Sequence, residues 1–278
     1  MAAPKQQLQY VVIPHPDDEF SAWSLVEGAT DNYPVFVLLT HGEATEFADG
    51  HGLQAALGER PPAPQPFQGQ QSLYVRAQRL ESWHTFLDRM AGFDATLDTP
   101  PFTTHLPGPG TGVDVFVGSS TARVVLDLGD GRLTADAVAA ALNLVRTKVK
   151  PMLPVQREFG VIGAAYFNAQ YAGPTYTHPD HRAVHDALWH TDFGLPGPQW
   201  ARTAHADPDA AGDHGRTNAI TPSTYDKAMA LDTGGQRTGA LQQVYGWLAF
   251  DAGGAFPVGP NDSDDGMWSR VQTFWRRF

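Results

Sequence analysis

The sequence predicts an α/β fold built on a mostly parallel sheet, and three observations carry that prediction. Short apolar runs rich in β-branched residues recur at 9–14 (QYVVIP), 34–40 (PVFVLLT), 122–128 (ARVVLDL) and 159–167 (FGVIGAAYF). Each is followed by turn residues or by a helical pattern, not by a second such run at once. The 278 residues, 42% hydrophobic and 11% aromatic, are enough for the core that such a sheet needs.

In chain order, residues 9–14 read as a buried strand, and Asp17 to Gly28 reads as a helix stopped by Gly28. Residues 34–40 form a second buried strand and complete a βαβ unit. A long polar, Pro-rich stretch runs from His41 to about Gln70 and contains RPPAPQPFQGQQ; loops of that length are usually functional or mobile. Residues 72–91 read as a helix with Leu73, Leu80, Trp83 and Leu87 near one face. Residues 94–120 read as loop, with PGPGTG at 107–112. The strand at 122–128 precedes a helix at 134–149, with Thr134 as N-cap, Asp136 early, Lys148 late and Pro151 beyond. The strand at 159–167 is followed by a helix at 178–190. From about 192 to the end the chain is Gly- and Pro-rich, with short helical candidates at 222–231 and 239–250. No repeat or linker divides it. The expectation is one domain over 1–278 with long insertions near 41–70, 94–120 and 192–222. The arrangement is Rossmann-like: a mostly parallel sheet, helices on both faces and long loops over the carboxyl edge.

Composition removes several function classes. The net charge is −11, and the nearest thing to a basic patch is Trp275-Arg276-Arg277-Phe278, so no nucleic-acid partner is expected. There are no cysteines, which leaves only histidine and carboxylate to hold a metal. MAAPKQQLQYVVI lacks a long apolar segment after a basic start, and no 18-residue apolar run follows. The expectation is a cytoplasmic protein without a membrane span. A nicotinamide-dependent dehydrogenase shares the sheet type, but here no Gly-rich turn follows the first strand, and acids at that point would repel a pyrophosphate.

Those acids belong to HPDDE, residues 15–19, and a second cluster, HPDH, stands at 178–181. Both follow strands, where ligands of parallel sheets sit. Three-ligand zinc sites with an open position use histidine and carboxylate. His15 with one of Asp17 or Asp18 supplies two ligands, and His178 or His181 a third. The other carboxylate is then free to take a proton from water at the metal, and the remaining histidine to serve the oxyanion or the leaving group. Each cluster alone also reads as a helix start, acids capping one and Pro179 opening the other. Two such clusters at two strand–helix junctions are harder to explain as capping.

HPDDE at 15–19 followed by HPDH at 178–181 resembles the LmbE-like, or PIG-L, N-deacetylases, which act on N-acylated glucosamine in phosphatidylinositol, mycothiol, bacillithiol and chitooligosaccharide pathways. The resemblance runs in order through most of the chain, including Thr40-His41-Gly42 after the second strand, and is specific at the paired motifs and loose outside them. It implies one zinc ion per chain, held by His15, Asp18 and His181, although iron or cobalt suits the same ligand types. It implies Asp17 as general base and His178 as the group that stabilises the oxyanion or protonates the leaving amine. Tyr176 and Arg76 are candidate oxyanion or substrate contacts. Of Arg76 and Arg79, at least one is expected to be a solvated surface residue, and the family's Arg-x-x-Glu helix motif departs here to Arg76-Ala-Gln-Arg79. Glu19 is expected to begin the helix, His185 to support the site or face solvent, and His41 to line a pocket or a turn. Without metal, Asp17 and Asp18 should repel, and at least one should titrate high.

The chain most resembles the deacetylases of glycopeptide antibiotic biosynthesis, of the teicoplanin and A40926 type, which implies a substrate carrying N-acetylglucosamine on a large natural product. Alternatives are a small thiol-precursor sugar of the mycothiol type, a sugar lipid, and a non-catalytic metal- or sugar-binding module. Phe47, Leu53, Leu57, Phe67, Phe102, Leu106, Phe193, Leu195 and Trp200 either line a mouth for a bulky ligand or fold under as local cores. The oligomeric state is not legible.

Overall fold

The computed structural model describes residues 5–44, 73–92, 95–98, 102–103, 112–167, 178–203, 215–235, 238–248 and 267–277. The strands are β1 (Gln7–Ile13), β2 (Asn32–Leu38), β3 (Ala95–Asp98), β4 (Phe102–Thr103), β5 (Gly112–Gly118), β6 (Ala122–Val125), β7 (Glu158–Phe167), β8 (Gln199–Thr203), β9 (Gly215–Ala219) and β10 (Val271–Arg276). The α-helices are α1 (Trp23–Glu27), α2 (Leu73–Ala91), α3 (Ala135–Leu144), α4 (Pro179–His190), α5 (Pro222–Met229) and α6 (Ala240–Tyr245).

All ten strands join one sheet in the order β3-β5-β6-β2-β1-β7-β8-β10-β9, with β4 beside β5. The five central strands, β6 to β8, run parallel. The strands on either side of them are antiparallel. The predicted α/β class holds, and four of the five parallel strands, β1, β2, β6 and β7, are the ones that the apolar runs announced.

Those runs are apolar throughout because both faces of the centre are covered. In β1, Leu8, Tyr10 and Val12 point into one core with Tyr33, Val35 and Val37 of β2, Val138, Ala141 and Leu142 of α3, and Val184 and Leu188 of α4. Val11 and Ile13 point into the other, with Phe36 of β2, with Trp83 and Phe86 of α2, and with Tyr225 and Leu241.

The structure corrects several element readings. The segment 94–120, read as loop, supplies β3, β4 and β5. β5 alternates buried and exposed positions at one flank of the sheet, and Gly-Pro punctuation outweighed that weak period-2 signal. β8, β9 and β10 lie in the stretch read as Gly- and Pro-rich irregular chain. The helix expected from Asp17 to Gly28 is a 3-10 turn over Asp18–Ala22 followed by short α1. It cannot start earlier because Asp17 has φ 105°, outside the helical region. The helix expected to reach 149 leaves α geometry at Val145 and continues as a π turn over Val145–Val149.

Candidate metal centre

β1 lies between β2 and β7. The chain leaves β1 on one side, builds β2 to β6 there, and returns on the other side as β7. That reversal opens a crevice at the carboxyl ends of β1 and β7. HPDDE leaves β1 at this point, and α4 brings HPDH over β7. Gly163 of β7 allows the helix to sit this close: a Cβ there would lie 2.7 Å from Leu188 Cδ1 and 2.9 Å from Val184 Cγ1.

Three donor atoms meet in the crevice. Asp18 Oδ2 is 3.2 Å from His15 Nδ1 and 3.1 Å from His181 Nε2, and the two ring nitrogens are 3.3 Å apart. The other nitrogen of each ring decides which carries the proton. His181 Nδ1 is 2.9 Å from Tyr166 O, a carbonyl that can only accept, so Nδ1 holds the hydrogen and Nε2 presents a lone pair. His15 Nε2 is 3.0 Å from Asp130 Oδ1 and 3.0 Å from Asp180 Oδ2, so its Nδ1 is the lone-pair nitrogen when the ring is neutral. With His15 neutral, two lone pairs and a carboxylate oxygen converge, a set that suits a cation. Tetrahedral zinc with bonds of about 2.0–2.1 Å spaces its ligands by about 3.3–3.4 Å, close to this triangle. His15, His178 and His181 also offer nitrogens that lie within 4.8 Å of one another.

A second ring of groups fixes the first. Asp180 is fully buried. Its Oδ1 accepts from Leu133 N–H (2.9 Å) and its Oδ2 from Gly131 N–H (2.7 Å). Asp130 Oδ2 accepts from Ala44 N–H (2.5 Å). These carboxylates behind His15 orient its ring and raise its basicity as a ligand. His178 caps α4, its Nδ1 accepting from Asp180 N–H at 3.3 Å. Nε2 is then the protonated nitrogen, suited to donate to an oxyanion.

Asp17 stands beside the triangle in a left-handed backbone conformation rare outside glycine. Its N–H donates to Glu19 Oε2 (2.9 Å), its C=O accepts from Trp268 Nε1 (3.1 Å), and its Oδ1 accepts from Arg79 Nη2 (2.8 Å). Glu19 Oε1 accepts from Tyr245 Oη at 2.8 Å.

Charge separates these groups. Burial pushes Asp17 up to about 6, and Asp18 adds to that while Arg79 opposes it. Asp18 goes the other way: burial works against its charge, but His181 and His15 outweigh it and hold its pKa low. Asp17 is the carboxylate held high, with burial as the leading cause and repulsion by Asp18 a smaller one. Burial disfavours protonated His15, but Asp130, Asp18 and Asp180 outweigh it and hold its pKa well above the usual value. His178 is lowered to about 4 by burial and then by His15 and His181. Burial lifts Glu19 to about 8, against the Tyr245 hydrogen bond.

Of the residues singled out in the sequence, His15, Asp17, Asp18, His178 and His181 come together here. The helix-start reading of HPDH also holds, with Pro179 opening α4 and His178 as its N-cap. Arg76 is half-buried and holds Asp127 Oδ2 (2.7 Å) and His41 Nδ1 (2.5 Å). Tyr176 lies outside the described residues. Arg79 is no surface residue: it is buried against Asp17. Glu19 is fully buried and does more than begin a helix, linking Asp17 to Tyr245. His185 is partly buried and stacks on Trp189 along α4. Phe193 and Trp200 pack into the two cores, so they do not line a mouth; Leu195 packs beside Phe193's core. Phe47, Leu53, Leu57, Phe67, Leu106 and the Phe102 side chain lie outside the described residues.

The reading of the motifs gave no role to Asp130, Asp180, Tyr245 or Trp268. Asp180 stands inside HPDH and Asp130 inside Gly129-Asp130-Gly131, two glycines of positive φ, which is a local signal. Tyr245 and Trp268 carry none. No family model and no curated protein matches the chain. Two of the solved structures that bear some likeness to it are deacetylases. One is a deacetylase triple mutant involved in the teicoplanin biosynthetic pathway: TM-score 0.44, 12% identity, covering 98% of this chain and 97% of that one. The other is the zinc-inhibited form of teicoplanin deacetylase Orf2: TM-score 0.34, 13% identity, covering 79% and 80%. Likeness of this strength carries neither activity nor ligand across, so the chemistry has to come from the side chains.

Proposed function

We propose that this chain is a zinc-dependent amide hydrolase of the LmbE-like type, removing the N-acetyl group from an N-acetylglucosaminyl unit of a large natural product. The observation that carries the chemistry is the triangle of Asp18 Oδ2, His15 Nδ1 and His181 Nε2, with a further carboxylate, Asp17, beside it. A binding module has no use for that extra carboxylate. When bound, zinc would supply a Lewis acid that acidifies water and polarises an amide carbonyl.

The chain's own groups do the rest. His15, Asp18 and His181 hold the ion. Asp17 takes a proton from the attacking water with its carboxylate. His178 donates from Nε2 to the oxygen that gains charge on the carbonyl, or to the departing amine. Collapse breaks the C–N bond and leaves acetate and a free glucosaminyl amine. The substrate rests on the sequence resemblance to the glycopeptide-type deacetylases and on the long segment between β2 and α2 in the chain.

The test is acetate release from N-acetylglucosamine, its inositol conjugate and a glycosylated heptapeptide, with metal content measured in parallel. The glycosylated heptapeptide should be preferred. Asp17→Asn should keep zinc and lose turnover, and His181→Ala should lose zinc. Full activity in Asp17→Asn would remove the base assignment, and stoichiometric zinc in His181→Ala would remove the ligand set.

A further inference from the structure

Arg79 sits where the loops after β1 and β2 meet. Its Nη2 donates to Pro16 O (2.7 Å) and Asp17 Oδ1 (2.8 Å), and its Nη1 to Gly42 O (2.9 Å). Its seat is made for it: Gly42 has φ 65°, and a Cβ there would lie 2.7 Å from Arg79 Cζ. The backbone of Asp17 is held independently, by Glu19 at the N–H and Trp268 at the C=O. Only the carboxylate could still turn, and Arg79 is what grips it. Among the described residues Asp17 Oδ1 takes a hydrogen bond and Oδ2 takes none.

We propose that Arg79 is a positioning residue for the proposed base: its guanidinium holds one Asp17 oxygen and leaves the other to accept the proton from water. The inference rests on the hydrolase reading above. A planar fork suits the task because the acceptors lie in fixed directions on two loops, which a lysine cannot span. A merely structural ion pair would tie the loops together with no consequence specific to turnover.

The experiment compares the zinc-loaded wild type with Arg79→Met, Arg79→Lys and Arg79→Ala, the last with and without millimolar guanidinium. The substrate is whichever member of the acetate-release panel the wild type cleaves fastest. In Arg79→Met, kcat should fall about 100-fold, the lower end of what a positioned base contributes. KM should move less than about threefold, and zinc content should not change. Arg79→Lys should lie between Met and wild type, and guanidinium should restore turnover to Arg79→Ala. A kcat within about threefold of wild type in Arg79→Met overturns the proposal, as does a loss that guanidinium cannot restore. A crystal structure of Arg79→Met is read independently of turnover: the Asp17 carboxylate turned from its place supports positioning, and an unmoved carboxylate overturns it. If the wild type cleaves no amide in the panel, the hydrolase reading fails, and the orientation of Asp17 in that structure alone judges Arg79.

Discussion

Asp180→Asn perturbs the centre without touching the donor triangle. Asp180 is fully buried, and its two oxygens take the N–H groups of Leu133 and Gly131 while facing His15 Nε2 at 3.0 Å. Asparagine keeps the shape but has one acceptor oxygen. Turned one way, its NH2 faces Leu133 N–H; turned the other, it faces both Gly131 N–H and His15. The milder arrangement still loses one bond to a charged acceptor and strands a buried donor, a cost of about 3 kcal/mol. At roughly 2–4 °C per kcal/mol for a chain somewhat smaller than this one, the melting temperature should fall by about 6–12 °C. His15 Nε2 keeps Asp130 but loses one of its two charged partners, so zinc affinity should drop roughly 10-fold, the lower end of what such outer partners contribute. Calorimetry of the chelator-treated protein reads the first effect, and competition with a chromophoric chelator reads the second. An unchanged zinc affinity, together with a melting temperature within about 1 °C of wild type, would refute the account of Asp180 as the anchor of His15.

Three further outcomes follow from the geometry. Gly163→Val should push α4 off β7, since even a Cβ meets Leu188 and Val184; a cost of about 1–3 kcal/mol in urea unfolding, with weaker zinc binding, is expected. Tyr245→Phe removes the hydroxyl that serves buried Glu19 and should cost about 1–3 kcal/mol, whereas a loss near zero would show that another donor serves Glu19. His185 is held down to about 4, chiefly by burial, with Asp186 pulling up and His190 pulling down. The unfolded chain, with an ordinary histidine near 6.5, binds more protons between those values. Stability should therefore fall as pH drops from about 6.5 toward 4, and His185→Gln should flatten that slope in unfolding measured across the window.

How much of this was legible depended on how far apart the cooperating atoms stand in the chain. Four strands of the parallel centre could be read because a strand buried on both faces is apolar at nearly every position, as β1 and β2 are; β8 is buried too, but QWART carries no apolar run. The donors could be read because HPDDE and HPDH each put several of them in a few residues, and few demands other than a cation bring two such clusters to strand ends. The antiparallel β5 could not, because a strand that alternates buried and exposed positions carries a weaker pattern than the Gly-Pro turns around it.

The sequence by itself determined the donor types of the centre: histidine and carboxylate in place of cysteine, and two motifs rich enough in them for the proposed ligands and base. Only the tertiary structure decided which atoms face inward. The tautomers follow from Tyr166 O behind His181 and from Asp130 and Asp180 behind His15, and the posture of Asp17 follows from Arg79, Glu19 and Trp268. Trp268 stands 251 residues from Asp17, and Tyr245 stands 226 residues from Glu19. A tryptophan or tyrosine that will pin a strained turn looks, in sequence, like any other core aromatic. Its partner is set by the packing of α6 on α2 and α5 and by the place of the chain's last strand in the sheet, long-range events with no local pattern.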